Sequence, residues 1–459
     1  MPERYHIPTA PTAARFRPIG KYGIVDWRED CARCRNCVKT ACVNDVWSSE
    51  RAYDRDPYTP LEPLYDCRAC LSCVQGCTKG LLSLSVNPEL LTIGDSYWRP
   101  EMITTTWEQA ETGRIPVSGA GYRGPFSGPG FDSMWTDMSE IVRPTRDGIH
   151  GREYISTSVD IGPKPMRLRF RASGGLEAAE PLIEVPLPLI LDIPPWGRDG
   201  ERLARARLEA AKRLGTLSVL RLEDIGPAEE DALPFLAPLI APEDVAGREA
   251  LLRQLRMLEI EDAPGALASF ERARAVNPGL VVVIRLPLRP DAGERVLQLY
   301  ASGVRVIHLC TDARGCESGA AQPRFIKDAL REVHTRLVEE GVRDEVTLIA
   351  SGGIALAEHM AKAIICGADL VAVSAPLMVA LGCRVCGGDH DGSCPVAIQE
   401  VDVDYAAQRM VNLMGAWHSQ LIEVLGAMGM REVRRLRGET GRAMFLEDLD
   451  REAFGDIGY

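Results

Sequence analysis

The stretch VTLIASGGIALAEHMAKAIICGADLVAVS, residues 346–374, holds two strand-length apolar runs, Val346–Ala350 and Leu370–Val373, on either side of a helix-length segment, Ala357–Cys366. A short apolar run bounded by glycine suits a buried strand, and a longer amphipathic segment suits a crossover helix. The stretch therefore reads as one strand–helix–strand unit of a parallel sheet. Toward the N-terminus the same alternation recurs. Leu187–Asp192, Thr216–Leu222, Phe235–Ile240, Met257–Ile260, Leu280–Leu286 and Val304–Leu309 have strand length, and Glu201–Leu214, Val245–Leu255, Ala266–Val276, Ala292–Ser302 and Arg324–Glu340 have helix length. Eight strands with helices between them predict an α/β fold, a (β/α)8 barrel over residues 181–382. The competing open doubly wound sheet asks for a GxGxxG turn after its first strand, and Asp192-Ile-Pro-Pro-Trp-Gly197 is no such turn.

In a barrel, ligands sit at the carboxyl ends of the strands, and the loops after the seventh and eighth commonly hold a phosphate through backbone N–H groups. Here those loops are Ser351-Gly352-Gly353-Ile354 and Ser374-Ala375-Pro376. Paired glycines let the chain approach an anion closely, such as the phosphate of flavin mononucleotide (FMN), although they also serve a plain tight turn. Residues 383–459 read as a cysteine loop and a helical tail, helical from about Tyr405 to Leu425 and onward. Residues 88–180, rich in Gly, Pro, Arg and Trp, read as an extended connector.

Eight of the fourteen cysteines fall in two runs, Cys31, Cys34, Cys37, Cys42 and Cys67, Cys70, Cys73, Cys77. The second is CxxCxxCxxxC, in which three thiolates wrap one iron–sulfur cube and the fourth reaches across to another. Two runs imply two crossed 4Fe–4S clusters, one on Cys31, Cys34, Cys37 and Cys77, the other on Cys67, Cys70, Cys73 and Cys42. A pair of zinc sites is the competitor, but triplets of this kind leave a thiolate over in the usual four-ligand scheme. Residues 24–87 resemble a bacterial two-cluster ferredoxin domain of α+β type, with one extra residue between Cys37 and Cys42 and no proline after either fourth cysteine. Cys383, Cys386 and Cys394 form a third group among glycines. Three thiolates suit a 3Fe–4S cluster, and Asp389 or His390 would complete a 4Fe–4S one; a zinc site also fits the ligand count.

The chain has 459 residues, 46% hydrophobic and 26% charged, with 53 basic against 65 acidic groups. That composition builds a sizeable core over several domains and rules out a disordered or fibrous protein. A net charge of −12 with scattered Lys and Arg argues against nucleic acid as partner. The longest apolar runs fall well short of the roughly 20 residues that span a bilayer. The polar start Met1-Pro2-Glu3-Arg4 is no signal peptide, which leads to the expectation of a cytoplasmic protein. Arg143–Arg152, dense in cations, reads as an inter-domain surface, and Arg431–Arg437 as a solvated helix face.

The succession Leu348–Ile354, Ala363–Asp369, Ala375–Cys383 and Cys394–Ile398 resembles the FMN domain of glutamate synthase, and a ferredoxin domain ahead of such a barrel is similar to the archaeal-type arrangement. The resemblance implies an oxidoreductase in which electrons pass from the ferredoxin clusters through a third cluster to FMN, which reduces 2-iminoglutarate, formed from 2-oxoglutarate and ammonia, to glutamate. Carried onto this chain, it puts the FMN phosphate on Ser351, Gly352 and Gly353, a last-strand contact on Ser374, the loop against the flavin at Pro194–Gly197 with Trp196, and the family's strand-five lysine at Arg285. A cation there stabilises an anionic reduced flavin; an ion-pair partner within the barrel mouth is the alternative. Several family features are replaced: the loop after strand four shrinks to Glu261–Gly265, Ala355-Leu356 follows the glycine turn in place of Arg-Thr, and Asp389 stands for a family cysteine. The losses fall where a dicarboxylate needs its donors, which leaves a second reading, an electron-transfer subunit whose barrel has lost the substrate site. The implied partners are other redox subunits, a ferredoxin or NAD(P)H-oxidising protein, and a glutaminase subunit, since Met1-Pro2 supplies no N-terminal cysteine nucleophile.

Overall fold

The computed structural model describes residues 5–16, 19, 22–27, 30–31, 34, 36, 71–115, 127–136, 154–164, 170–175, 180–196, 200–226, 231–386 and 396–455. Eight parallel strands, β1 (Leu189–Leu191), β2 (Ser218–Arg221), β3 (Leu236–Ile240), β4 (Met257–Glu261), β5 (Val281–Pro287), β6 (Val306–Cys310), β7 (Thr347–Ser351) and β8 (Leu370–Val373), close into a barrel. Val371 of β8 pairs with Leu189 of β1, which completes the ring. All eight apolar runs become strands, each within two residues of its expected bounds. Their Val, Ile and Leu side chains are buried on both faces, as a parallel sheet covered by helices requires.

Among the described residues the helices of six or more residues are α1 (Pro100–Thr112), α2 (Gly200–Leu214), α3 (Ala266–Val276), α4 (Ala292–Ala301), α5 (Ile326–Glu339), α6 (Ala357–Ile365), α7 (Ala375–Ala380), α8 (Val403–Ala427) and α9 (Leu446–Phe454). Val245–Leu255, expected as one helix, is instead a 3-10 turn, Pro242–Val245, and a single helical turn, Glu249–Leu252. Gly247 between them sits at φ +85°, a left-handed conformation that interrupts a right-handed helix.

The expected connector is not extended throughout. Pro100 starts α1, where a missing N–H costs nothing, and Gly113 ends it at φ +66°. This helix buries Met102, Ile103, Trp107 and Ala110 together with Thr105, Thr106 and Gln109, and packs on α7 and α8. Further along, Met134–Thr136 pairs antiparallel with Ala443–Phe445, and Val159–Ile161 with Ile183–Val185. These contacts wrap the connector around the barrel. The tail helix α8 starts on Asp402, whose carboxylate accepts the Tyr405 N–H at 3.0 Å, and packs on α1, α2 and α6. Residues 5–16 strap across it, with the Ala10 N–H donating to Asn412 Oδ1 at 3.0 Å and Asn412 Nδ2 to the Ala10 carbonyl at 2.7 Å.

At the barrel floor, Arg431, Arg434 and Arg435 of the segment Arg431–Arg437 are exposed, as expected of a solvated face, while Arg437 is half-buried. The segment makes a 3-10 turn, Val433–Leu436; Arg434 pairs with Asp160 at 3.0 Å, and Arg437 with Asp369 at 3.1 Å and Asp344 at 2.6 Å. Arg143–Arg152 lies outside the described residues. Tyr22–Trp27 and Leu82–Val86 pair antiparallel and join the two ends of the cysteine-rich segment. Among the described residues no helix is long and apolar enough to cross a membrane.

Candidate active site at the barrel mouth

Strand β7 delivers Ser351 to the mouth, where its carbonyl accepts both the N–H and the hydroxyl of Thr311 at 3.0 Å. Gly352 and Gly353 follow at φ +95° and +65°. A Cβ at Gly352 would lie 2.0 Å from Thr311 Oγ1 and 2.5 Å from the Asp312 carbonyl, and one at Gly353 would lie 2.7 Å from Gly315 Cα. The loop after β6 thus presses on this turn so closely that only glycine fits. No acceptor among the described residues receives the N–H groups of Gly352, Gly353 and Ile354, although Gly353 and Ile354 are buried. Buried amides without acceptors are costly, and three at one turn suit the oxygens of a phosphate. Ser374, just past β8, occupies the residue before α7, and its hydroxyl makes no capping bond.

Two aromatic side chains from the connector cover this turn. The Tyr97 hydroxyl donates to the Gly353 carbonyl at 2.5 Å, and the Trp98 indole to the Ala313 carbonyl at 3.0 Å. Asp95 fixes them by accepting the N–H groups of Tyr97 and Trp98, each at 2.8 Å, while it pairs with Arg314 at 2.9 Å. Trp98 meets Trp196 edge to face at 6.4 Å. Trp196 Nε1 is buried and meets no acceptor among the described residues, a second unspent donor at the mouth.

Arg285, near the end of β5, is the ion-pair partner that the sequence left as an alternative. Its Nη1 and Nη2 engage both carboxylate oxygens of Asp192 at 2.8 Å, and Nη1 also reaches Glu259 Oε2 at 2.9 Å. His308 Nδ1 lies 2.9 Å from Glu259 Oε1. Burial pushes the Asp192 carboxyl up, but the Arg285 guanidinium outweighs it and holds the group down at about 2. Glu259, which burial also raises, is held below the ordinary range by His308 and Arg285, while burial drives the neighbouring Cys310 thiol up to about 12. The result is a mouth floored by two carboxylates around one arginine. Asp192, Glu259 and His308 were not singled out from the sequence. The available signal was an ionisable residue in an otherwise apolar strand, as in Met257-Leu-Glu-Ile260 and Val306-Ile-His-Leu309, since a charge placed there needs a partner.

Of the eleven cysteines proposed as ligands, Cys37, Cys42, Cys67, Cys70 and Cys394 lie outside the described residues, as do Asp389 and His390. Cys31, Cys73 and Cys77 are half-buried, Cys34 and Cys386 exposed, and Cys383 buried. Among the described residues no three His, Cys, Asp or Glu side chains converge as a ligand set. Two sulfurs nonetheless sit in surroundings that fit thiolate ligands: Cys77 Sγ accepts the Leu81 N–H at 3.3 Å and Cys383 Sγ the Val385 N–H at 3.4 Å. Such donors tune the sulfurs of a cluster. Next to Cys383, the Arg384 carbonyl accepts the Gly94 N–H at 2.8 Å, which ties the third cysteine group to the segment that covers the glycine turn.

Residues 276–431 match the family model described as the conserved region in glutamate synthase, which takes in β5 to β8 and most of the tail. The archaeal-type glutamate synthase (NADPH) of Dehalococcoides mccartyi is 25% identical over 90% of this chain and 93% of its own length. The archaeal glutamate synthase (NADPH) of Archaeoglobus fulgidus is 25% identical over 94% and 96%, and that of Methanocaldococcus jannaschii 42% identical over 125 residues, 26% of this chain and 24% of its own. Among solved structures, a mandelate oxidase bearing a monooxide FMN adduct aligns with 76% of this chain and 93% of its own at 15% identity and a TM-score of 0.42. With relatives aligned nearly end to end and the family model seated on the barrel's ligand half, the chain is similar to the archaeal-type glutamate synthases along most of its length.

Proposed function

We propose that the chain is an iron–sulfur flavoprotein oxidoreductase that forms glutamate reductively from 2-oxoglutarate and ammonia. The observation that carries the reading is the buried turn at 351–354, whose amides have no acceptor within the described chain and sit where a barrel holds phosphate. The residues present fit FMN. The amides of Gly352, Gly353 and Ile354, with Ser351 and Ser374, would hold its phosphate, and the Trp196 indole and the uncommitted N–H groups of Arg285 would meet its polar edge. FMN, when bound, supplies the two-electron reduction of a carbon–nitrogen double bond. The chain's own part is to orient and enclose: Tyr97 and Trp98 shut water from the turn, and Asp192 and Glu259 hold Arg285 in one rotamer at the mouth. Residues 24–87 would carry two 4Fe–4S clusters on the eight N-terminal cysteines, and Cys383, Cys386 and Cys394 a third cluster. Electrons would come from a ferredoxin or NAD(P)H-oxidising partner, and ammonia from solution or a glutaminase subunit.

The electron-relay reading is favoured by one observation: the Arg285 charge is already matched by two carboxylates, which weakens it as an anchor for a dicarboxylate. Anaerobic reduction separates the two. If glutamate is made, reduced protein mixed with 2-oxoglutarate plus ammonium regains its oxidised flavin absorption, and neither compound alone restores it. A flavin that stays reduced rules out glutamate formation.

A further inference from the structure

Two opposite charges at the barrel mouth are unmatched among the described residues. In a parallel sheet paired residues share a face, and successive residues of a strand alternate between faces. Asp192, Glu259, Arg285 and His308 bond to one another and so mark the inward face. Arg221 pairs in register with Leu239, and Leu239 with Glu259, which turns Arg221 inward as well. Glu261 pairs with Arg285 and stands two residues past Glu259, so it too points inward. Each is the last residue of its strand, β2 and β4, at the end where a barrel binds ligands. Arg221 is half-buried and Glu261 exposed, and neither meets a hydrogen-bond or ion-pair partner among the described residues. Other arginines near the mouth are matched: Arg285 by Asp192 and Glu259, Arg295 by Asp262, Arg314 by Asp95 and Arg324 by Glu317.

The FMN contacts proposed above come from β5, β7, β8 and the loop after β1, which leaves the β2–β4 side of the mouth to substrate. Two strands lie roughly 10 Å apart across one intervening neighbour, and two residues of strand add roughly 7 Å, so a molecule of a few carbons fits between the two side chains. A cation and an anion that face one opening without a partner suit a ligand that carries both signs. We propose that Arg221 and Glu261 are the substrate-recognition pair of this mouth, Arg221 binding a carboxylate and Glu261 the cationic nitrogen of a 2-imino or 2-amino dicarboxylate. The inference rests on the reading of the mouth as a glutamate-forming site and deepens it: the carboxylate anchor that Arg285, already matched, is poorly placed to supply comes from β2. 2-Oxoglutarate has no cationic nitrogen, so it gains from Arg221 alone and is repelled by Glu261, whereas glutamate gains from both.

Titration calorimetry of the purified, oxidised holoenzyme with 2-oxoglutarate and with L-glutamate tests it. Arg221→Gln is expected to weaken both ligands by about 10–100-fold, the loss usual for a hydrogen bond to a charged group. Glu261→Gln is expected to weaken L-glutamate by about tenfold and to leave 2-oxoglutarate unchanged or tighter. FMN content and circular dichroism should match the parent in both variants, because neither side chain is bonded to another. Parental affinities in Arg221→Gln, or an equal change for the two ligands in Glu261→Gln, overturn the pair and leave the glutamate reading standing. A parent protein that binds neither ligand overturns that reading and the pair with it. Should a variant not fold, the parent answers with an analogue: 2-hydroxyglutarate, a hydroxyl in place of the ammonium, is expected to bind about tenfold or more weakly than L-glutamate, and equal affinity overturns the pair.

Discussion

Replacing Arg285 by methionine is expected to cost about 3–5 kcal/mol of folding stability, because it strands Asp192 and Glu259 as unpaired carboxylates inside the barrel. Domains of this kind are stable by only about 5–15 kcal/mol in all, so the variant stands at the edge of folding. Chemical denaturation followed by circular dichroism measures the loss. Arg285→Lys keeps the charge but offers one nitrogen where the fork engages both oxygens of Asp192 and one of Glu259, and should lose about 1–3 kcal/mol. Adding Asp192→Asn and Glu259→Gln to Arg285→Met removes the stranded charges and should recover much of the deficit, which separates ion pairing from lost volume. An Arg285→Met protein as stable as the parent would refute the ionic account of the mouth.

The second large effect lies at the opposite end of the barrel. Asp369, at the start of β8, receives Arg343 at 2.9 Å, Lys164 at 2.5 Å and Arg437 at 3.1 Å, and its Oδ2 also accepts the Leu348 N–H at 2.8 Å. Arg343 is itself 5% exposed, so Asp369→Asn leaves a buried guanidinium without its counter-charge and should cost about 3 kcal/mol or more. Burial alone would raise the Asp369 carboxyl, but Arg343, Lys164 and Arg437 hold it far below the ordinary range. A carboxyl whose folded pKa lies below its unfolded value of about 4 contributes its full stability above that value and loses it as pH falls toward the folded pKa. With Asp369 so depressed and Asp192 at about 2, the wild type should lose stability steeply below about pH 4, and Asp369→Asn should flatten that acid limb. An acid limb of unchanged slope would show that the floor network does not carry the charge assigned to it.

The barrel was legible because its strands are continuous apolar runs, and burial on both faces of a parallel sheet imposes that pattern locally. The glycine turn was legible too, since positive φ and close approach leave glycine alone at positions 352 and 353. Helix α1 was not. Its buried face mixes Met102, Ile103 and Trp107 with Thr105, Thr106 and Gln109, so the polar members blur the apolar period that marks a helix. The ion cluster was hidden for a different reason. Asp192, Glu259, Arg285 and His308 are far apart in the chain, and only barrel closure sets β1, β4, β5 and β6 around one axis. A lone His or Glu in a strand says that a partner is needed without saying which. Likewise the covering role of Tyr97 and Trp98 depends on how the connector folds back over the loop after β6, which no local pattern encodes.

Cofactor content of protein purified without air tests the account most directly. It predicts a brown protein that releases one FMN per chain on denaturation and carries roughly eleven or twelve iron atoms, from two four-iron clusters and a third of three or four irons. Iron without flavin would contradict the enzyme and leave a relay, and a colourless protein with neither would contradict the redox role altogether.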